Sequence, residues 1–328
     1  MSILVLSHAD VEALLPMSEA IDLMADALTA LAKGEVHNPL RFVIRPPDAP
    51  GLLGLMPAYR GGASAAWGLK TVCVYPSNPS RGLDAHQGAV LLHDAATGEL
   101  RAVINASAVT AIRTAAVTGV ATRLLARPSA TRLAVLGAGV QARRHLEAMR
   151  IVRPLESVRL WSRNREKAEA LASGFTEGAG LSIQVVDSAE HAVHDADIVV
   201  TITAAAEPVL QRSWLARGVH VNAVGSSIPT TREIDSATMA AASLFVDRRE
   251  STLNESGDYL FAARDGVIGP DHIRAELGEV LTGERPGRTR DDEMTLFKSL
   301  GLAVEDLAAA QFLDRRGRES GVGTVVPF

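Results

Sequence analysis

The spacing of apolar residues changes character twice along this chain. Near the N-terminus, Val11, Leu14 and Leu15 follow Ser7 and Asp10, a pair at capping-box spacing, and Pro16 stops that short helix. A second helix starts near Ser18. Its apolar positions Ile21, Met24, Ala25, Leu28 and Leu31 recur at helical spacing until Gly34. From about residue 38 the period becomes two. RFVIR, GLLGLMPAY, WGLKTVCVY, AVLLHD and LRAVIN read as short, largely antiparallel strands, with DAATGE as the hairpin loop between the last two. A long helix, SAVTAIRTAAVTGVATRLLA, follows. Its small residues Ala115, Ala116 and Gly119 suit close approach to another backbone, and it ends before Pro128.

Beyond Thr131, strands alternate with helices: RLAVLG, VQARRHLEAM, SVRLWSR, NREKAEALAS, SIQVVD, DADIVVTIT, GVHVNAVG and SLFVDR. Such alternation implies a parallel sheet with helices on both faces. The chain is therefore expected to be α/β. An α+β domain spans residues 1–118, a doubly wound parallel sheet spans 119–298, and a helical tail over 299–328 returns to the first domain. No internal repeat interrupts this order.

Composition narrows the function classes. A length of 328 residues suits two domains, and a hydrophobic fraction of 47% is ordinary for globular chains. A net charge of −5 gives no electrostatic pull toward nucleic acid or anionic lipid, so neither is an expected partner. No apolar run is long enough to span a bilayer and the N-terminus lacks a signal-peptide pattern, so the expected location is cytoplasmic. Cys73 is the only cysteine, which excludes an intrachain disulfide or a multi-cysteine zinc site. Alternation sets Cys73 on the face opposite Lys70, where it reads as core. No His, Asp or Glu cluster has metal-ligand spacing, so no metal is expected.

One motif carries chemistry by context. Gly137-Ala138-Gly139-Val140-Gln141-Ala142 follows an apolar strand directly and opens an amphipathic helix. That is the setting in which G-x-G-x-x-A cradles a dinucleotide pyrophosphate. The first glycine makes the turn, the second admits the ligand, and the alanine lets the helix lie close to the sheet. A glycine turn with no ligand is the plainer alternative. The next strand ends in Trp161, Ser162, Arg163, Asn164 and Arg165, with no carboxylate to bond a ribose 2′-hydroxyl. Ser162 and Arg163 suit a 2′-phosphate instead, which favours NADP(H) while leaving NAD(H) possible. Solvated arginines at a helix start are the competing explanation.

Cations in apolar surroundings form the second signal. Lys70 shares a strand face with Val72 and Val74, Arg41 shares one with Val43 and Arg45, and Arg113 interrupts an alanine- and valine-rich helix. A buried cation needs an anionic partner, and a ligand carboxylate is one. Arg45, beside two prolines, reads as a side chain reaching solvent.

The segments PLR, LMPAY, GLK, HQGAVLL, RTAAVTGVAT, LGAGVQA, TITAAAEPVL, NAVGSS-x-P, ESGD, AELGEV and FKSLGLAVED, in this order, resemble the ornithine cyclodeaminase/mu-crystallin family over nearly the whole chain. The resemblance implies a Rossmann domain set between the parts of a substrate and dimerisation domain, and a homodimer joined through the latter. By position it implies that Arg41 and Lys70 bind a substrate carboxylate and that Arg113 lies between substrate and cofactor. It further implies that His86, Thr114, Thr203, Val224, Gly225, Lys298 and Ser299 line the cofactor, besides Gly137, Ala138, Gly139, Val140, Gln141, Ser162, Arg163 and Asn164.

Two positions depart from the cyclodeaminase pattern: Gly54 stands where those enzymes carry a glutamate, and Ser227 where they carry an aspartate. Both carboxylates suit a diamino acid. Their absence turns the implied activity from ornithine cyclodeamination with bound NAD toward NAD(P)H-dependent oxidoreduction at the C–N bond of a small amino or imino acid. That substrate is a cyclic ketimine carboxylate, or a 2-oxo acid with an amine. An NADPH-dependent small-ligand binding protein is the remaining alternative. For the proton that must reach the imine nitrogen, Lys70 and a water held by Ser227 are the candidates, with His86 and Glu255 as lesser ones.

Overall fold

In the computed structural model, which describes residues 2–179 and 181–328, the capping box at Ser7 is closed. The Asp10 amide donates to the Ser7 hydroxyl at 3.3 Å, and the Ser7 amide donates to the Asp10 carboxylate at 2.9 Å. This pair starts the helix His8–Leu14. The second helix runs over Met17–Ala32 with Pro16 at its N-cap, and Gly34 leaves it at φ +73°, a conformation that costs glycine nothing.

The chain divides into two units. One is the segment up to Arg113 together with Gly301–Phe328, and the other is Thr114–Leu300. The division falls inside the helix Ala106–Leu125.

The first unit is built on strands β1 (Ser2–Leu6), β2 (Val36–His37), β3 (Phe42–Ile44), β4 (Leu52–Arg60), β5 (Ala66–Val74), β6 (His86–Asp94) and β7 (Leu100–Asn105). β4 through β7 form an antiparallel meander, and β1 joins parallel to β7. The C-terminal helix Ala303–Ser320 lies across β4, β5 and β6, and the helix Met17–Ala32 packs against it. Gly68 permits that approach, since a Cβ there would stand 3.0 Å from the Leu307 side chain. Strand alternation therefore buries Met56, Ala58, Lys70, Val72, Val90, Leu92, Ala102 and Ile104 on one face.

The opposite face of this sheet is the more exposed one. It carries Leu55, Tyr59, Leu69, Leu91 and Val103, half-buried, and Trp67, which is 49% exposed. The Tyr59 and Trp67 rings lie 4.4 Å apart between centroids. Cys73 shares this face and is half-buried. The expectation that it is core is corrected: alternation set it opposite Lys70 as expected, but the covered face is the one bearing the lysine.

The second unit holds an eight-stranded parallel sheet. Its strands are β8 (Arg132–Leu136), β9 (Ser157–Trp161), β10 (Ile183–Val185), β11 (Ile198–Thr201), β12 (His220–Ala223), β13 (Ser243–Val246), β14 (Ile273–Glu276) and β15 (Thr295–Lys298). The order is β10-β9-β8-β11-β12-β15-β13-β14. The chain thus winds outward from β8 in both directions. Such a switch point leaves a crevice at the carboxyl ends of the central strands, where doubly wound proteins bind ligands. A final strand, β16 (Thr324–Pro327), returns to the first unit and pairs antiparallel with β1.

Five strands were not read from sequence: β1, β2, β14, β15 and β16. The first is a continuous apolar run, and the others are two to four residues long, too short to display a period. Among the described residues no helix is long and apolar enough to cross a membrane, and no group of three or more His, Cys, Asp or Glu is placed to hold a metal.

Candidate active site

In the first unit, β5 delivers Lys70 to the covered face, where it is 3% exposed. Its Nζ lies 2.7 Å from Oδ2 of Asp306, in the first turn of the C-terminal helix. Arg113 meets the same carboxylate from the helix Ala106–Leu125, with Nε 3.2 Å from Asp306 Oδ1, and its Nη1 lies 3.0 Å from Glu305 Oε2. Arg41, half-buried just before β3, donates from Nη2 to the Gly301 carbonyl at 3.0 Å. Gly301 has φ +78°, and a Cβ there would collide with the Arg113 guanidinium, so both conformation and space require glycine.

Burial is the largest influence on Lys70 and drives its pKa down. Asp306 opposes this, Arg113 and Arg41 add to the lowering, and the result is about 8. The His86 pKa is lowered first by desolvation and then by the positive charges of Lys70 and Arg113, with Asp84 opposing. His86 begins β6 opposite Val74, and as a residue it remains solvent-accessible. Gly54 sits on β4 on the same covered face as Lys70. A Cβ at Gly54 would find ordinary contact with Val72, at 3.5 Å.

Sequence reasoning named the cations but missed Glu305 and Asp306, which accompany them. Their signal was present: two adjacent acids opening an alanine-rich helix. A surface helix start explains such a pair equally well until the helix is known to be buried.

In the second unit, Gly137 has φ +122° and its amide donates to the Trp161 carbonyl at 2.8 Å. A Cβ at this position would stand 2.7 Å from the Ile202 carbonyl oxygen. Gly139 is the N-cap of the helix Val140–Val152, and the space where its Cβ would project is open for 4 Å. Ala142 is fully buried against the sheet. Ala138 and Gln141 are half-buried, whereas Val140 is exposed beside the turn.

At the end of β9, the Ser162 hydroxyl accepts from the Asn164 amide at 3.3 Å, and the Asn164 side chain accepts from the Lys167 amide at 2.9 Å. Asn164 thereby caps the helix Arg165–Ala179. Arg165 is held by Glu169, at 2.7 Å, and by Asp187. Arg163 is exposed, with no hydrogen bond or ion pair among the described residues.

The remaining positions of the second unit gather at the carboxyl ends of β11, β12 and β15, around a carboxylate that sequence reasoning did not single out. Glu233 is fully buried. It accepts from the Thr201 hydroxyl at 2.8 Å, the Thr203 amide at 2.5 Å, the Thr203 hydroxyl at 2.7 Å and the Gly225 amide at 2.6 Å. Its own amide donates to Asp258 at 2.7 Å, and Asp258 pairs with Lys298 Nζ at 3.0 Å. Lys298 also donates to the carbonyls of Ala223, at 3.1 Å, and Ser226, at 2.5 Å, and is wholly enclosed. Its ammonium is thus consumed inside the unit. Of the ESGD segment, Asp258 enters this network. Ser299 is buried, with its amide on the Ala223 carbonyl at 3.0 Å. Val224 and Thr114 are nearly buried, and Ser227 is half-buried in the loop after β12.

Comparison with known proteins gives the family of the chain. The model of the ornithine cyclodeaminase/mu-crystallin family matches residues 1–321. The chain is 43% identical over 280 residues to the mouse ketimine reductase mu-crystallin, covering 85% of each chain. It superposes with a TM-score of 0.95 on the Thermococcus litoralis pyrroline-2-carboxylate reductase in complex with NADH and L-proline, at 39% identity over 98% of this chain and 99% of that one. An archaeal alanine dehydrogenase dimer with bound NAD superposes with a TM-score of 0.94, at 33% identity over 100% of both chains.

Proposed function

Because the chain belongs to the ornithine cyclodeaminase/mu-crystallin family, we propose that it is an NAD(P)H-dependent reductase of the C=N bond of a small imino acid, most simply a cyclic ketimine carboxylate. The grouping of cations in the first unit carries this reading. Lys70 and Arg113, both buried, meet at Asp306, and Arg41 acts on Lys70 from the segment before β3, a cluster of the kind that receives a substrate carboxylate. The T. litoralis relative holds L-proline, which is what reduction of pyrroline-2-carboxylate yields. Gly54 supplies no carboxylate on the Lys70 face for the distal ammonium of a diamino acid, which weighs against cyclodeamination.

The turn at Gly137 and Gly139 fits a dinucleotide: open space at Gly139 admits a pyrophosphate to the amides and dipole of the helix start. Glu233 ties together the loops carrying Thr203 and Gly225, against which a bound cofactor would lie at the strand ends. Arg163, exposed and unengaged beside Ser162, suits a 2′-phosphate, so NADP(H) is favoured over NAD(H). The cofactor supplies the hydride that adds to the imine carbon, and the protein must deliver one proton to the nitrogen. Arg41 and Lys70 hold the carboxylate and orient the imine. Lys70, with a pKa near 8, is poised to donate that proton, and a water on Ser227 is the second route.

Consumption of NADPH and NADH tests the assignment, measured with pyrroline-2-carboxylate, piperideine-2-carboxylate, and pyruvate with ammonia or methylamine. The expected result is rapid oxidation of NADPH with a cyclic imine, and no ammonia from ornithine. Ammonia release with no imine reduction would make the protein a lyase.

We assign the more exposed sheet face of the first unit to a second copy of the chain. Trp67, Tyr59, Leu69 and Leu91 form an apolar patch of the kind that marks an interface. Sedimentation velocity should report a dimer, and Trp67→Glu with Leu91→Glu should yield monomers. A monomeric wild type would refute the assignment.

A further inference from the structure

The substrate cations are accompanied by a carboxylate whose placement is more specific than charge balance requires. Asp306 is 1% exposed, and its two oxygens are divided between two elements. Oδ2 lies 2.7 Å from Lys70 Nζ on β5, and Oδ1 lies 3.2 Å from Arg113 Nε on the helix Ala106–Leu125. Glu305, its neighbour on the same helix, pairs with Arg113 through Oε2. Asp306 is thus the carboxylate that joins the two cations.

We propose that Asp306 is the positioning residue of this site, holding Lys70 and Arg113 at a fixed spacing and keeping Lys70 protonated so that it can receive a substrate carboxylate. The functional part of this proposal rests on the carboxylate-capture reading above. The charged groups around Lys70 come from every element packed on it: Asp306 and Glu305 from the C-terminal helix, Arg113 from the helix Ala106–Leu125, Arg41 from the segment before β3, and His86 from β6. Burial, Arg113 and Arg41 all favour the neutral amine. Asp306 opposes them by both charge and hydrogen bonding, and the balance stands at about 8. Without the aspartate charge the same burial and the same two guanidiniums remain, so Lys70 would lose its proton at or below neutral pH. A neutral lysine attracts a carboxylate weakly, so capture would fail at the pH where the native site works.

The chain has four lysines, Lys33, Lys70, Lys167 and Lys298, so the charge state of one can be read directly. Protein labelled with carbon-13 at the lysine ε-carbon gives four resonances, and Lys70→Arg assigns the one that matters. In the wild type, Lys70 should titrate near 8. In Asp306→Asn, which removes the charge and turns one of the two acceptor oxygens into an NH₂ group, the midpoint should fall by about one pH unit or more. The basic limb of kcat/KM for pyrroline-2-carboxylate should move by the same amount, with activity partly recovered near pH 6. Asp306→Glu should keep the Lys70 midpoint near 8 while raising KM. Should the amide variant not fold, Asp306→Ser removes the same charge with a smaller side chain.

An unchanged Lys70 midpoint in a folded uncharged variant would overturn the proposal. So would an activity loss equal at every pH, which is the mark of a merely structural role. If Lys70 titrates as expected but no imine is reduced by the wild type, the electrostatic role of Asp306 stands and the reductase reading falls.

Discussion

Lys70→Met should lower kcat/KM for pyrroline-2-carboxylate by about 30-fold to several thousand-fold near pH 7.5, the range expected when one partner of a buried charge pair is removed, about 2–5 kcal/mol. Methionine keeps the length and apolar stem of lysine and removes the ammonium. Asp306 retains Arg113, so the substitution does not strand that carboxylate. The fold should survive for a reason that the pKa supplies. The lysine value of 10.5 is lowered to about 8 in the folded chain, so the buried ammonium opposes folding. That cost is complete below pH 8, shrinks as pH rises from 8 to 10.5, and is gone above. Removing the ammonium therefore removes a cost at neutral pH, and thermal unfolding should occur within a few degrees of the wild type. Steady-state kinetics across pH separates the two roles of Lys70. A loss confined to KM would mean that Lys70 binds only, and that a water on Ser227 supplies the proton. A fall in kcat as well would make Lys70 the donor. Undiminished kcat/KM would remove it from the site.

The second large effect is expected at Glu233, where Glu233→Gln should lower the stability of the second unit by about 3 kcal/mol. Both carboxylate oxygens accept from backbone amides, one from Thr203 and the other from Gly225. Whichever way a glutamine is turned, its NH₂ group faces one of those N–H groups, and a buried donor is left without an acceptor. Burial raises the Glu233 pKa above its ordinary 4.5, with Asp258 adding to the rise while Lys298 and the Thr203 bonds oppose it. The sign of the linkage follows. Ionising Glu233 within the fold costs stability that is absent below 4.5 and accumulates as pH rises toward the raised value. Glutamine escapes that cost, so its destabilisation should be smaller at neutral pH than in acid, where the native carboxyl carries no penalty. For a unit of this size, 3 kcal/mol corresponds to a fall in Tm of about 6–12 °C, measurable by calorimetry. A Tm within about 2 °C of the wild type would show that the four donors do not depend on this carboxylate.

These two residues illustrate different degrees of legibility. Lys70 was visible because strand alternation assigns a face to every residue of WGLKTVCVY, and a lysine among valines on one face is conspicuous. Glu233 was not, because an acid in PTTREID reads as loop and its four donors lie on other segments. The same holds for Asp306, which is 193 residues from Arg113 along the chain. An acid is presumed solvated until a cation is brought to it, and only chain folding brings one. Arg165 and Arg163 show the converse. They look alike in sequence, yet Glu169 and Asp187 occupy the first and leave the second available.

Local period and glycine stereochemistry reach some distance unaided. The helix caps, the long strands of the first unit, the alternation that makes the second sheet parallel, and the turn at Gly137 and Gly139 all depend on neighbours within a few residues, and the sequence alone determined them. The place of β15 between β12 and β13, the choice of which sheet face the C-terminal helix covers, and the pairing of each buried charge were decided by tertiary structure. The physical reason is common to all three. A strand of four residues has no readable period, both faces of the first sheet carry apolar residues, and a buried charge is satisfied by whatever the fold carries to it across hundreds of residues. None of these is a property of a local window.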